Sequence, residues 1–159
     1  MHEEEKMKKR ILSAGCILAI CLTLGIQVNA MDNEMIDGSK LTHQDESVGY
    51  TEQKTRGEYL LTGYSKCVKR GDGKLYAGGT TIAVKEVESI QVAVMIERAK
   101  KGDDSWTYYE SWEKINHNMD RVGSNRALTV EGGYYYRVRS YHAANSDASS
   151  SYTDGIYIE

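Results

Sequence analysis

Phenylalanine and proline are both absent from this sequence of 159 residues, and cysteine occurs only three times. The aromatic content is instead carried by 12 tyrosines and 2 tryptophans, whose polar tips allow them to end at a wet surface. A basic excess is also missing, because the formal net charge is -3. Proteins that bind the phosphate backbone usually carry such an excess, so we expect no nucleic-acid partner.

Recognisable catalytic and metal-binding motifs are missing as well. The sequence contains no His-Glu-x-x-His, no Gly-x-Ser-x-Gly, no phosphate loop and no paired-cysteine site. Three histidines, His43, His117 and His142, are far apart, and we expect each to be a solvated surface or loop residue. We therefore expect no metal, no cofactor and no enzymatic activity, although a catalytic site assembled from distant positions stays open.

The N-terminal segment has the layout of an export signal. A cationic stretch, Met7–Arg10, precedes an apolar run, Ile11–Ile26, and small Ala30 follows. We predict a signal peptide over 1–30, cleaved after Ala30, with Met7 as an alternative start. A retained membrane anchor is the other interpretation, but a helix needs about 20 apolar residues to span a bilayer, and the apolar run is shorter than that. We expect a secreted, extracellular protein that keeps no stable membrane span after cleavage and is a monomer.

Removal of that signal would leave Cys67 as the last cysteine. An intramolecular disulfide is then impossible, so the domain must be held by its own core. We expect Cys67 to be a small buried residue in a strand, because no nearby histidine or asparagine marks a catalytic pair.

The remaining chain divides into two parts. Residues 31–57 are polar and follow no period, which predicts a flexible leader. Residues 58–159 contain short β-rich runs broken by turn residues, which predicts an all-β fold: a single two-sheet antiparallel β-sandwich of about seven strands. The predicted strands are at about 58–69, 79–86, 89–98, 105–112, 126–131, 133–142 and 151–158.

Three of these segments allow sharper predictions. Ile90, Val92, Val94 and Ile96 alternate with more polar residues, so they should form a core face. Apolar residues within 107–122 are spaced as in an amphipathic helix; we predict strand followed by loop, with a short helix as the alternative. Arg70-Gly-Asp and Asp103-Asp104 are interpreted as hairpin turns rather than as an integrin-type motif and a calcium site.

The C-terminal half contains Leu128, then Gly132-Gly133, then Tyr134-x-Tyr136-x-Val138. This order resembles the E–F corner and F strand of fibronectin type III domains of the immunoglobulin-like class. The resemblance implies that Tyr134 is the tyrosine corner, with a buried ring and a hydroxyl bound to backbone upstream. The whole layout, including Gly-Glu-Tyr-Leu-Leu-x-Gly-Tyr-Ser at 57–65, resembles a group of small exported Gram-positive bacterial proteins classed as a domain of unknown function.

Alternation along the same strand defines a candidate site. If Tyr134, Tyr136 and Val138 face the core, the opposite face presents Tyr135, Arg137, Arg139 and Tyr141. Such a face can stack sugar rings and hold hydroxyl or carboxylate groups, so we expect a non-catalytic module that binds a glycan or a protein outside the cell. Exposed strand faces also favour these residue types without any ligand.

The alternative hypothesis is a secreted enzyme or toxin-like effector with a site built from loops. Its candidate residues are Trp112, His117, Asp120 and Arg121 in the irregular segment. The two hypotheses differ in whether the strand face forms one exposed patch or His117 and Asp120 converge in a cleft.

Overall fold

A computed structural model describes residues 34–52 and 57–159 of the chain. The predicted signal peptide, 1–30, lies outside these residues. The described part is all-β and contains no helix, which confirms the predicted fold class. No segment of it is therefore a helix that could cross a bilayer. The strands are β1 (Met35–Ile36), β2 (Ser39–Thr42), β3 (Glu46–Tyr50), β4 (Leu60–Lys69), β5 (Lys74–Ala99), β6 (Thr107–Thr129), β7 (Tyr134–Ala144), β8 (Asp147–Tyr152) and β9 (Gly155–Ile158).

The strands form one curled, mixed sheet rather than seven antiparallel strands in two separate sheets. The order along the sheet is β1-β2-β9-β7-β5-β4-β3, and β6 and β8 pair with β5 and β7, respectively. The neighbouring strands are antiparallel except β2 and β9, which are parallel. The nine strands of the described part thus correct both the predicted count and the predicted architecture.

Two long strands account for the curl. β5 pairs with β4 through its first half and with β7 through its second half, while β6 follows it along both halves. The sequence pattern predicts two strands within β5 and a loop or helix between 112 and 126, and both predictions are wrong. The register of β5 against β6 shifts between Ile82 and Val87, so the irregular pattern there marks a bulge that bends the strand and does not end it.

The core lies on the concave face of this sheet. Ile90, Val92, Val94 and Ile96 are all fully buried, as their alternation predicts. Cys67 is also fully buried in β4, and burial raises the pKa of its thiol to about 12. It therefore acts as a small apolar residue and is not a nucleophile at neutral pH.

The segment predicted as a flexible leader contains β1, β2 and β3. Buried side chains alternate here over only a few residues, because Ile36, Ser39 and Leu41 are covered while their neighbours are exposed. Strands of two to five residues are too short to produce a detectable period. The prediction of a flexible leader is therefore wrong for Met35–Tyr50.

The tyrosine corner is formed by Tyr136 and not by Tyr134. The Tyr136 hydroxyl donates a hydrogen bond of 2.7 Å to the carbonyl of Glu131, five positions upstream, and the residue is fully buried. Tyr134 is only half-buried, and the Arg98 guanidinium lies 4.3 Å from its ring centroid. Both tyrosines point towards the same side of β7, so alternation could not choose between them.

The predicted turns occur where the sequence analysis expected them. Arg70-Gly-Asp connects β4 to β5, with Gly71 and Gly73 at positive φ and the Arg70 amide bonded to the Lys74 carbonyl. The turn from β5 to β6 contains Asp103, whose carboxylate accepts a hydrogen bond from the Lys100 amide. The predicted strand 151–158 is interrupted at Thr153, whose hydroxyl accepts the Val138 amide.

Candidate functional site

The outer face of β7 divides into a covered end and an open end. Tyr135 and Arg137 are buried, whereas Arg139 and Tyr141 are exposed. The four residues do share one face, as alternation predicts, but they do not form one exposed patch. The prediction of an exposed ladder is wrong for Tyr135 and Arg137, because β1 and β2 cross over that end of the strand.

Arg137 holds the cover in place, where the cover is the segment Met35–Thr42 that contains β1 and β2. Its side chain is 1% exposed, and its Nε donates to Glu97 Oε2 at 2.7 Å. The remaining donors reach the cover: Nη1 bonds to the Asp37 carbonyl and Ser39 Oγ, and Nη2 bonds to Asp37 Oδ2 at 2.8 Å. The guanidinium carbon also lies 4.7 Å from the Trp106 ring centroid. All three nitrogens of this guanidinium are engaged in hydrogen bonds, so its role is structural.

The electrostatics of this cluster support the same role. The hydrogen bond from Arg137 lowers the pKa of the Asp37 carboxyl, in spite of the opposing effect of desolvation. Asp37 therefore stays charged at neutral and mildly acidic pH. A buried guanidinium between two carboxylates is expensive to unpair, so the cover is tied firmly to β7.

Tyr135 completes the covered end. Its ring packs with Ile36, Leu41 and Ala99 in a small apolar cluster separate from the main core. Its hydroxyl lies 3.2 Å from Nε2 of His43, which is exposed as predicted. Tyr135 therefore connects the outer face to the cover and is not available to an external ligand.

The open end forms a surface pocket of about 380 Å³. Arg139 and Tyr141 stand opposite Met95 and Ala93 of β5, and the small side chain of Ala93 leaves room between them. The pocket is also lined by Ser111 and Glu113 of β6 and by Ser150 of β8. Within the part of the chain that the structure describes, the Arg139 guanidinium makes no hydrogen bond or ion pair.

A larger groove of about 900 Å³ adjoins this pocket, since Tyr141 and Ser150 line both. It contains two further exposed aromatic rings, Tyr50 and Tyr152, which are 66% and 41% exposed. Asp147 also lines the groove, but its Oδ2 accepts the amides of Tyr59 and Leu60, which lowers its pKa. The groove thus offers aromatic faces and hydroxyls together with two carboxylates, Glu52 and the already bound Asp147.

The residues of the alternative hypothesis lie along β6. His117, Asp120 and Arg121 are exposed on this edge strand, and His117 Nδ1 lies 3.0 Å from the Glu88 carbonyl. Trp112 is half-buried, and its Nε1 donates to Ser124 Oγ. The structure therefore places these residues on a strand surface and not in a loop-built cleft.

A buried polar cluster escaped the sequence analysis. His142, predicted to be solvated, is fully buried between Thr81 Oγ1 at Nδ1 and Ser151 Oγ at Nε2, at 2.9 and 2.8 Å. Ser151 in turn contacts Ser65, which donates to Ser140. A β-carbon at Gly63 in β4 would collide with the imidazole. A glycine inside a strand is therefore the one sequence feature that indicates a bulky group packed against it.

Hydrogen-bond donors in this cluster determine the tautomer of His142. The Thr81 hydroxyl donates to the Gln91 carbonyl, so it accepts from His142 Nδ1–H. Nε2 is then the acceptor of the Ser151 hydroxyl, and the ring is neutral. Burial lowers the pKa of His142 to about 4. Ser151 is 1% exposed, so this serine and histidine hold two layers of the sheet together and do not meet a substrate.

No group of three or more histidine, cysteine, aspartate or glutamate side chains in residues 34–52 and 57–159 is arranged to hold a metal ion.

No protein-family model matches this sequence, and no curated protein matches it. The solution structure of CsgH from R. palustris is 16% identical, covers 57% of this chain and 87% of that chain, and has a TM-score of 0.39. The crystal structure of Spo0M, a sporulation control protein from Bacillus subtilis, is 11% identical, covers 73% of this chain and 50% of that chain, and has a TM-score of 0.34. Both likenesses are too distant to inform the function of this chain.

Proposed function

We propose that this protein is an exported, non-catalytic module that binds a glycan outside the cell. The observation that carries the proposal is the continuous surface formed by the pocket and the groove at the open end of β7. One unpaired cation, Arg139, lies in it beside the exposed ring of Tyr141, with Tyr50 and Tyr152 further along.

The chemistry of that surface suits a sugar chain. Aromatic faces stack against the apolar faces of sugar rings, and serine hydroxyls and a guanidinium bond to hydroxyl and carboxylate groups. The groove, at about 900 Å³, has room for a sugar chain, and an extended protein segment would be its second class of ligand.

The export and fold assignments belong to the same proposal. The cationic and apolar segments before Ala30 support a cleaved signal peptide and an extracellular location. The hydrogen bond from Tyr136 to the Glu131 carbonyl supports a likeness to the E–F corner of fibronectin type III domains, within a single curled sheet of nine described strands. N-terminal sequencing of the exported protein should begin at Met31.

A glycan array followed by titration calorimetry tests the binding proposal. The parent protein should bind one class of glycan, and Tyr141→Ala and Arg139→Ala should each weaken that binding by about tenfold or more. Tyr108→Ala is the matched control, because Tyr108 is at least as exposed as Tyr141 but lies outside the pocket and the groove. The glycan should be recovered unchanged in mass; a cleaved glycan would point to the enzyme instead.

The proposal fails if the array shows no ligand. It also fails if the three variants bind equally well, because the ligand would then occupy another surface. Far-ultraviolet circular dichroism of each variant excludes unfolding as the cause of a lost signal.

A further inference from the structure

β6 is a long strand with one unpaired edge. It extends from Thr107 to Thr129, and within the described part of the chain its backbone pairs only with β5. The backbone groups of the other edge are a template for pairing with a further strand. β6 contains no proline, and among residues 34–52 and 57–159 no second strand covers that edge. One of its backbone groups is occupied locally, since the Arg121 carbonyl accepts a hydrogen bond from the side chain of Asn116.

The strand is bent into two arms of similar length. Asn118, near its middle, has a positive φ of 52°. On either side of it the arms contact each other, with Trp112 Nε1 3.1 Å from Ser124 Oγ and Arg126 Nη1 2.8 Å from Glu110 Oε1. A two-fold axis at His117, one residue from the bend, would place each arm of one copy alongside the opposite arm of a second copy, so a second bent β6 can lie antiparallel along the first.

The sequence of β6 is complementary to itself in one antiparallel register. With His117 opposite His117, Glu113 faces Arg121 and Lys114 faces Asp120. Between these charge pairs, Ile115 faces Met119. An isologous interface repeats every such pair twice, and directly opposed side chains of an antiparallel pair are in contact.

Neighbouring registers lose this match. A shift by two residues in one direction places Gly123 opposite Glu113 and Asn116 opposite Asp120. A shift in the other direction places Met119 opposite Glu113 and Trp112 opposite Asp120. A shift by one residue would place the core face of one copy on the same side as the outer face of the other. The register centred on His117 is therefore favoured over its immediate neighbours.

The side chains concerned are available. Lys114, Asp120 and Arg121 are exposed and form no ion pair with another described residue, while Glu113 accepts one hydrogen bond from the Gln91 amide. Ile115 and Met119 are 45% and 52% exposed. An edge protected only by charge would carry repelling groups in the self-paired register, whereas this edge carries attracting ones.

We propose that two copies of this chain associate through their β6 edges, antiparallel and centred on His117. The sheet of one copy then continues into the sheet of the other, in place of the monomer expected from sequence. Glu113 also lines the open-end pocket, so Arg121 of the second copy approaches the rim of that pocket.

Charge reversal tests the register directly, by sedimentation velocity over a range of protein concentrations. Glu113→Arg and Arg121→Glu each place like charges opposite each other twice, and each should weaken self-association by about tenfold or more. An equimolar mixture of these two variants should form a heterodimer, because both charge pairs become attractive again. The double variant with both changes should associate as the parent does. Glu46→Lys, a charge reversal in β3, which is separated from β6 by β4 and β5, is the control.

A parent protein that stays monomeric at its highest soluble concentration overturns the proposal. A dimer whose strength is unchanged in both single variants, or a mixture that fails to associate, overturns it as well. Thermal unfolding of each variant establishes that it is folded. Glycan binding is measured separately, so a missing dimer leaves the proposed binding function intact and a missing ligand leaves the dimer intact.

Discussion

The two ends of the outer face of β7 contain the same kinds of residue and have opposite roles. Each end presents one tyrosine and one arginine, but Tyr135 and Arg137 are buried while Arg139 and Tyr141 are exposed. The difference comes from β1 and β2, which lie about 100 positions earlier and bond to Arg137 through Asp37. Alternation therefore determines the face on which a side chain lies, and a distant segment determines whether that face meets solvent.

The largest effect on stability should appear when Arg137 and Arg139 are each replaced by methionine, in two separate variants. Arg137→Met leaves the Glu97 carboxylate buried without its partner, so we expect a loss of about 3 to 5 kcal/mol in the free energy of unfolding. Arg139→Met removes an exposed, unpaired side chain and should change that free energy by less than about 0.5 kcal/mol. Urea denaturation of both variants measures the difference. Similar losses in the two variants would refute the division into a covered and an open end.

Sequence patterns predicted the layers of this molecule better than its cover. The all-β class, the core alternation of Ile90 to Ile96 and the outward direction of Arg139 all follow from a period of two that extends over many residues. The pattern fails for β1 and β2, because strands of two and four residues contain too few side chains to show a period.

The same limit explains the errors on the candidate site. Burial of Arg137 depends on Asp37 and Trp106 converging on it from distant parts of the chain, and no local pattern contains that information. His142 was misplaced because a histidine in a strand is equally compatible with either environment, and only its contacts with Thr81 and Ser151 decide the matter.

A second difference between the ends is their response to acid. At the covered end, the hydrogen bond from Arg137 lowers the pKa of Asp37 below its ordinary value of 3.8, so the stabilisation from this carboxylate is lost only as the pH falls below that value. Behind the open end lies neutral His142, whose pKa is lowered from 6.5 to about 4 by burial. Between these two values the unfolded chain binds a proton that the folded chain does not, so stability is complete above about 6.5 and decreases as the pH falls towards 4.

This proton binding should lower the free energy of unfolding by roughly 3 kcal/mol between pH 7 and pH 4. Urea denaturation across that range measures it, and His142→Gln should reduce the slope because glutamine does not titrate. Amide hydrogen exchange at pH 5 provides a local measurement, in which Tyr141–Ala144 should lose more protection than Tyr135–Val138. Equal loss of protection along β7 would show that the ends do not differ in their response to acid.

The smallest effect concerns the inner face of β7, near the covered end. Tyr136→Phe removes the hydroxyl that bonds to the Glu131 carbonyl, and we expect a loss of about 1 kcal/mol in the free energy of unfolding. Tyr134→Phe is the matched control, since its hydroxyl does not form the corner, and it should leave stability nearly unchanged. If Tyr134→Phe were the more damaging change, the corner would lie at Tyr134, as the family resemblance implies. Because both variants keep an aromatic ring, the comparison isolates the hydrogen bond from the packing of the ring.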